Sequence, residues 1–528
     1  MGGAEARNEQ VSNPAPKSAQ PTHFVSIDLG TSRIKAAVFD DKGRRVAQSS
    51  YVCTLQRPHP GWCEQDLEDA LRGALQVLRD CVAAADLPAH AYAALALTGQ
   101  GDGTRLVDVE GAPLRPAILW QDARASAVVR RWESEGRADA VKRYTGTMLS
   151  GSQQSVQLAW LLEHEPEVVR RARHIFFAKD WLFFHLTGAA ATDQSDSSHT
   201  YFDIRARRAE PRILDALNLT WAVEKLPPEL PPGQSAAALL GRIAEQIGLP
   251  AGLPVVLAPF DVVSEMIAVG GFEPGVACSV IGTAGIHQVS VQPDSFDPTT
   301  VAAGCTTYAP GEAALIRFVP NMLAVPNIEF WAALLFGDYH SLQFGFAAYA
   351  SIEEALARIA PGADGVLYIP FLSPAGERAP YLLPEAHASF TGLSLHHSRE
   401  HLLRAVYEGV ALAAAESYAH LPLTSAPVQM TGGGARSPLL AQILADVLGR
   451  AVQVSNGASG AVHGAMLFAR TTLGYTPDLS AAYAQVERST QVYLPNEEAH
   501  KTYRALHETY RALVARLHLN SLNPTHLA

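Results

Sequence analysis

Residues 24–40, FVSIDLGTSRIKAAVFD, join two apolar, β-prone runs through an acidic glycine turn, and residues 276–291, VACSVIGTAGIHQVSV, repeat the device. In the first copy Val25 and Ile27 alternate with smaller or polar positions, Gly30, Thr31 and Ser32 turn the chain, and 36–39 resume a strand pattern. In the second copy Gly282, Thr283 and Gly285 hold the turn. Either copy alone reads equally well as an ordinary glycine hairpin. Two copies, one near the start of each half, predict a duplicated α/β fold that grips a nucleotide's phosphates from both sides of a central cleft. In the first turn Asp28 is suited to hydrated Mg²⁺, Gly30 lets the backbone approach a phosphoryl group, and Thr31 and Ser32 can donate to its oxygens.

A chain of 528 residues exceeds one ordinary core and predicts two domains of about 200 to 250 residues each. We place them at 23–271 and 272–473, after a flexible tail at 1–22 and before an extension at 474–528. The tail has no apolar run that could form a signal-peptide core, and no later segment offers the roughly eighteen apolar residues of a membrane span. A net charge of −11 leaves no basic footprint, which argues against nucleic acid and anionic membrane as partners. Five cysteines without C-x-x-C spacing argue against a disulfide framework or a zinc site and point to the cytoplasm. Helices are predicted at 67–85 and 497–517, the latter with Tyr503, Leu506, Tyr510, Leu513 and Leu517 on one face. The segment 226–234, LPPELPPGQ, can be neither helix nor central strand.

Asp261 closes the run VVLAPFD, after a strand pattern at 253–257 and before an apolar helical stretch. That places its carboxylate at a strand's carboxyl end, where open α/β sheets hold ligands, with a helix N-cap as the alternative role. Gly432, Gly433 and Gly434 follow an apolar strand pattern and precede a helical one at 438–448, an arrangement that lets a flat base or ribose approach the backbone. Residues 388–408, ASFTGLSLHHSREHLLRAVYE, together with GERAPY at 376–381, GWCEQD at 61–66 and LWQDAR at 119–124, complete the set of motifs.

With the two hairpins, these segments resemble the sugar kinases of the FGGY family, within the actin, hexokinase and Hsp70 ATPase superfamily. The likeness runs from about residue 24 to 473. It implies a two-domain actin-like (ribonuclease H-like) α/β fold with a duplicated domain and a central cleft. It also implies that Asp261 takes the proton of the acceptor hydroxyl during phosphoryl transfer, and that Asp28 and Asp261 hold Mg²⁺ mainly through water. Gly30, Thr31, Ser32, Gly282 and Thr283 would then face the phosphates of ATP, and Gly433, Gly434 and Ser437 its ribose and base. Gln100, Gly101, Asp102, Trp120 and Ser152 are the expected substrate contacts, Asp102 as an acceptor of hydroxyl hydrogen bonds. Arg378 with Glu377 reads as an internal ion pair, and His396, His397 and His401 are kept out of the site.

The chain departs from the family pattern at several positions. Gln157 stands for the first signature's Lys, Gln154 for its Pro, Ser or Thr, and Ser152 for the tyrosine with which glycerol kinases contact substrate. Ala258 replaces a glycine before Asp261, and the second hairpin reads G-T-A where the family has G-T-S. These changes disfavour glycerol and D-xylulose. The expected activity is ATP-dependent phosphorylation of a small polyol or ketose, with the Q-G-D-G-T stretch at 100–104 most like the erythritol kinase branch. A pentulose or pentitol kinase is the alternative, and a non-catalytic sugar-binding regulator is the reading from another class. A homodimer stays among the expectations.

Overall fold

The computed structural model describes residues 21–230, 233–311, 314–337, 350–456 and 460–517. Apart from its last two residues, the tail expected at 1–22 lies outside the described residues. Two sheets carry the architecture. The first contains β1 His23–Leu29, β2 Arg33–Phe39, β3 Arg45–Val52, β4 Tyr92–Gly99, β5 Ala236–Ala238 and β6 Pro254–Leu257, in spatial order β3-β2-β1-β4-β6-β5. The second contains β7 Ala277–Ile281, β8 Gly285–Val291, β9 Cys305–Tyr308, β10 Leu315–Asn321, β11 Val428–Thr431, β12 Val452–Asn456 and β13 Ser489–Tyr493, in order β9-β10-β8-β7-β11-β12-β13.

The duplication is visible in the pairing. In each sheet a hairpin, β1–β2 or β7–β8, lies antiparallel to a third strand on one side. On the other side it runs parallel to two strands, β4 and β6 or β11 and β12, and ends on an antiparallel edge. Strands flanked on both sides and covered on both faces need apolar residues throughout, which is why β4, YAALALTG, is buried at every position. The turn between β1 and β2 therefore opens at the carboxyl end of β4 and β6, where the chain leaves each strand for the site.

Helix α1, Leu67–Ala85, has the bounds the sequence predicts; Asp66 caps it by accepting from the amides of Glu68 and Asp69, worth about 1 kcal/mol. Helix α2, Gln194–Tyr201, is polar in sequence yet buried from Ser195 through Tyr201. Helix α3, Asp261–Ala268, begins at the expected catalytic residue. Helix α4, Arg399–Ala419, and α5, Pro438–Leu448, cover the second sheet, while α6, Ala461–Thr472, packs on α3 and on β1 and β4 of the first. One core cluster runs through this junction, from Phe24, Ala94 and Val256 to Ile267, Cys278, Ile316 and Leu467. The C-terminal helix α7, Glu497–Leu517, is present as predicted, with Tyr503 and Tyr510 buried and Leu506 and Leu513 packed beside the core; the Leu517 side chain lies outside the described residues. The extension also adds β13 to the second sheet, which the sequence reading did not anticipate. All five cysteines are buried and free. Among the described residues no helix is long and apolar enough to cross a membrane.

Candidate active site

The two hairpin turns meet over a cavity of about 200 Å³. From the first turn Asp28, Gly30, Thr31 and Ser32 line it, and from the second Gly282 and Thr283. The Ser32 and Thr283 hydroxyls stand 3.1 Å apart across the cleft. Gly30 is needed because a Cβ there would fall 2.6 Å from the Arg33 carbonyl oxygen. Thr31 differs from its expected use. It accepts from Trp120 Nε1–H at 2.7 Å and donates its own proton to Gln100 Oε1 at 2.7 Å. Its hydroxyl is thus committed to orienting Gln100, whose Nε2 is buried without a partner among the described residues.

Gln100, Gly101, Asp102 and Trp120 face the same cavity from the first half. Helix α2 stands behind them and sets their geometry. Ser195 Oγ accepts the Phe260 amide at 3.0 Å, and His199 Nε2 lies 2.8 Å from Asp102 Oδ1. A Cβ on Gly101 would strike the Phe260 ring at 2.4 Å and Asp196 Oδ1 at 3.0 Å, so this position admits only glycine. Burial works against the charge on Asp102, but the charge and hydrogen bond of His199 and the charge of Arg378 outweigh it and hold the carboxyl below its usual range. His199 in turn is raised, because Asp102 outweighs the opposing burial. Neither His199 nor Arg378 was among the expected contacts, yet both line the cavity.

Asp261 lines the cavity from the first turn of α3, its Oδ1 accepting the Val262 amide at 2.8 Å. The cap residue is Phe260, so Asp261 is not tied up as an N-cap. Burial pushes its carboxyl well above the usual range, and the nearby charges of Asp28, Asp196 and Glu265 push the same way. Burial also raises Asp28, opposed by Lys35. Glu265, one turn after Asp261, is pushed up to about 7 by burial and also lines the cavity, as do Lys35 and Arg33. These three were missed; the four-residue spacing of Asp261 and Glu265 on one helix face was the available signal. The oxygen donors fit a hard divalent cation, since Asp28 Oδ1 is buried without a partner among the described residues. No group of three or more His, Cys, Asp or Glu could hold a metal among those residues, so such an ion would take most of its ligands from water and phosphate.

Three expected contacts lie elsewhere. Ser437 is fully buried; it caps α5 by accepting the Leu440 amide at 3.0 Å and donates to Glu353 Oε1 at 2.6 Å. With its single proton given to Glu353 and the residue fully buried, Ser437 has no donor to offer a base edge. Gly434 is buried against Ile281, whose Cγ2 would stand 2.7 Å from a Cβ there, whereas Gly433 lines the cavity with nothing within 4 Å. Ser152 is buried behind Arg378, accepting from its Nη1 at 3.1 Å, and does not line the main cavity. Glu377 also differs from expectation. Its carboxylate accepts the amides of Met322 and Arg378, both at 2.9 Å, instead of pairing with the guanidinium. The departures Gln154 and Gln157 are structural: Gln157 accepts from Thr104 and donates to the carbonyls of Leu119, Gly151 and Ser152, while Gln154 accepts from Tyr201. Trp62 lies under Arg124, 3.6 Å from the ring centre, and does not line the cavity. His396 and His397 are partly buried or exposed at the start of α4, away from the cavity, as is His401.

Residues 23–268 match the N-terminal domain of the FGGY family of carbohydrate kinases, and residues 331–473 match its C-terminal domain. The chain is similar to the erythritol kinase of Brucella abortus (strain 2308), 32% identical over 88% of this chain and 89% of the relative. It is also similar to the xylulose kinase of Escherichia coli (strain K12), 29% identical over 94% of this chain and 99% of the relative. Among solved structures, a xylulose kinase from Rhodospirillum rubrum superposes with a TM-score of 0.77 at 27% identity, covering 94% of this chain and 99% of that one. A xyloylose kinase from Brucella ovis, at 24% identity and a TM-score of 0.78 over 94% of this chain and 100% of that one, shares the fold. The duplicated sheets, the paired turns and these matches agree: the chain is a member of the FGGY family of carbohydrate kinases.

Proposed function

We propose that the enzyme transfers the γ-phosphoryl group of ATP to a hydroxyl of a small neutral polyol or ketose, a tetritol such as erythritol before a pentulose. The observation that carries this reading is that one cavity holds the two phosphate-type turns, the Asp261 carboxylate and the Gln100–Asp102–Trp120 group. On this reading residues 23–271 hold the acceptor and 272–473 the nucleotide, with Gly433 beneath the ribose or base. Gln100 Nε2, oriented through Thr31, donates to one acceptor hydroxyl, and Asp102 accepts from others. The reacting hydroxyl lies against Asp261. A bond forms between its oxygen and the γ-phosphorus as the bond to the β-bridging oxygen breaks, and the hydroxyl proton passes to Asp261, leaving ADP. Mg²⁺, held through water by Asp28 and Asp261, would supply positive charge to the phosphates. Lys35 and Arg33 face the same space and add fixed cationic charge.

Similarity to erythritol kinase at the higher identity supports the tetritol, and similarity to xylulose kinases over nearly the whole chain supports a pentulose or pentitol as the second reading. A coupled ADP-release assay over C3 to C6 polyols and ketoses decides between them. A tetritol should give the highest kcat/KM. A pentulose at the top would install the second reading, and no stimulation by any acceptor would overturn both.

A further inference from the structure

Arg378 comes from the second half of the chain, yet its side chain reaches across the cleft into the acceptor end of the first. Its Nη1 lies 3.1 Å from Ser152 Oγ and 3.8 Å from Asp102 Oδ2, and the guanidinium sits 4.5 Å from the centre of the Trp120 ring. Asp102 and Trp120 face the main cavity, while Ser152 faces a second, smaller one of about 20 Å³. Arg378 also borders a third cavity, of about 40 Å³, that extends past Ser150 toward Cys305. One residue is therefore a shared wall of three spaces. The wall is held in place from behind: Glu377 accepts the Arg378 amide, and Asn321 Nδ2 donates to the Ala379 carbonyl at 2.9 Å. The guanidinium itself is under-used, since Arg378 Nε is buried with no partner among the described residues.

We propose that Arg378 is a specificity-determining residue: its guanidinium closes the acceptor pocket against the two smaller cavities and sets the longest carbon chain that fits between it and Asp261. A planar cation with unfilled donors, stacked on Trp120 and facing Asp102, offers hydrogen bonds to the last hydroxyl of an acceptor that ends there. A longer acceptor must displace it. Behind it stand the hydroxyls of Ser150 and Ser152, 2.5 Å apart, so the space released by truncation is polar enough to take one more hydroxymethylene unit.

The inference rests on the acceptor reading above, and the experiment separates the two. kcat/KM is measured for tetritols, pentitols, pentuloses and hexitols with wild type, Arg378→Ala and Arg378→Met, beside the KM for ATP and the melting temperature. Truncation should lower use of the best wild-type acceptor by about ten- to a hundredfold and raise the next longer acceptor relative to it by at least about tenfold. The KM for ATP should stay within about threefold. Arg378→Met keeps most of the stem volume, so it carries the test if the alanine variant fails to fold. It should lose the short acceptor as well, with a smaller gain for the longer one. Folded variants in which the kcat/KM ratio of the longer to the shorter acceptor stays at its wild-type value overturn this inference alone. A wild-type enzyme that uses no polyol or ketose removes both it and the reading beneath it.

Discussion

Gly464 in α6 touches the backbone of α3 so closely that a Cβ there would fall 1.8 Å from the Ser264 carbonyl oxygen and 2.6 Å from its carbonyl carbon. Real Cβ contacts essentially never fall under 3.0 Å, and both atoms struck are backbone, so no side chain can rotate away. Gly464→Ala must therefore part the two helices by roughly 1 Å. Helix α3 begins at Asp261, three residues before the clash, and its start is pinned: Ser264 Oγ and Thr98 Oγ1 both donate to the Pro259 carbonyl, at 2.7 and 2.6 Å. The displacement thus reaches the carboxylate of Asp261, the proposed base, instead of dissipating in a loop. Overpacking of this kind costs about 1 to 3 kcal/mol of stability. A misplacement of about 1 Å at the reacting groups can cost on the order of a hundredfold in rate. We expect Gly464→Ala to fold with a lowered melting temperature and to lose about ten- to a hundredfold in kcat while the KM for ATP changes little. Gly241→Ala is the control, because a Cβ there meets nothing within 4 Å and the backbone needs no positive φ; it should be near neutral in both respects. The reasoning is refuted if Gly464→Ala keeps wild-type kcat and melting temperature.

Asp261→Asn should lose about 10²- to 10⁴-fold in kcat while titration calorimetry finds ATP binding nearly unchanged; turnover within a few-fold of wild type would remove Asp261 as the base. Asp102→Ala should lower kcat/KM for the acceptor by about ten- to a hundredfold and, because His199 and Arg378 would be left buried without their counter-charge, should lower the melting temperature too; an unchanged acceptor kcat/KM would exclude Asp102 from the site. Glu416 gives a pH prediction. Burial opposes its charge, but the His420 and His507 rings, with Nε2 atoms 3.7 and 2.8 Å from the carboxylate, the Tyr381 hydroxyl that donates to it at 2.5 Å, and the charge of Arg511 outweigh it and hold the carboxyl well below the usual 4.5. A depressed folded value contributes stability that is complete above the ordinary glutamate range and is lost as pH falls through the folded one. Wild type should therefore lose melting temperature progressively below about pH 4.5, and Glu416→Gln should be less stable at neutral pH with a shallower acid loss; parallel acid profiles would refute the assignment.

The parts of this fold that were legible in the sequence are those decided within one or two turns of chain. The G-T turns sit between β-branched runs, so both hairpins follow from local chemistry, and α1 and α7 follow from the spacing of their apolar residues. Asp261 was legible for the same reason, at the end of a strand and the start of a helix. Ser437 was misread although its local signal was plain. A serine directly before a proline and an apolar helical run is a favoured cap, and that preference describes what the structure contains better than the nucleotide contact inferred from likeness.

What the sequence withheld are pairings between distant segments, where two partners compete for one group. Glu377 and Arg378 are adjacent and oppositely charged, which suggests an ion pair. A buried carboxylate is satisfied equally well by backbone amides, and here Met322 and Arg378 bring theirs to it. Once the carboxylate is taken, the guanidinium is free to cross the cleft, and its preference for an aromatic face and a carboxylate carries it to Trp120 and Asp102. His199 was hidden differently. Helix α2, QSDSSHTY, reads as a solvated surface helix, but it is buried, and several of its polar side chains find partners outside the helix: Ser195 with Phe260, Ser198 with Thr307, His199 with Asp102. A polar helix can be buried only when such partners exist, and the ones it found include two residues of the cavity wall. The same rule turns Thr31 from an expected phosphate donor into the group that fixes Gln100, because a hydroxyl has one proton to give and the nearer acceptor takes it.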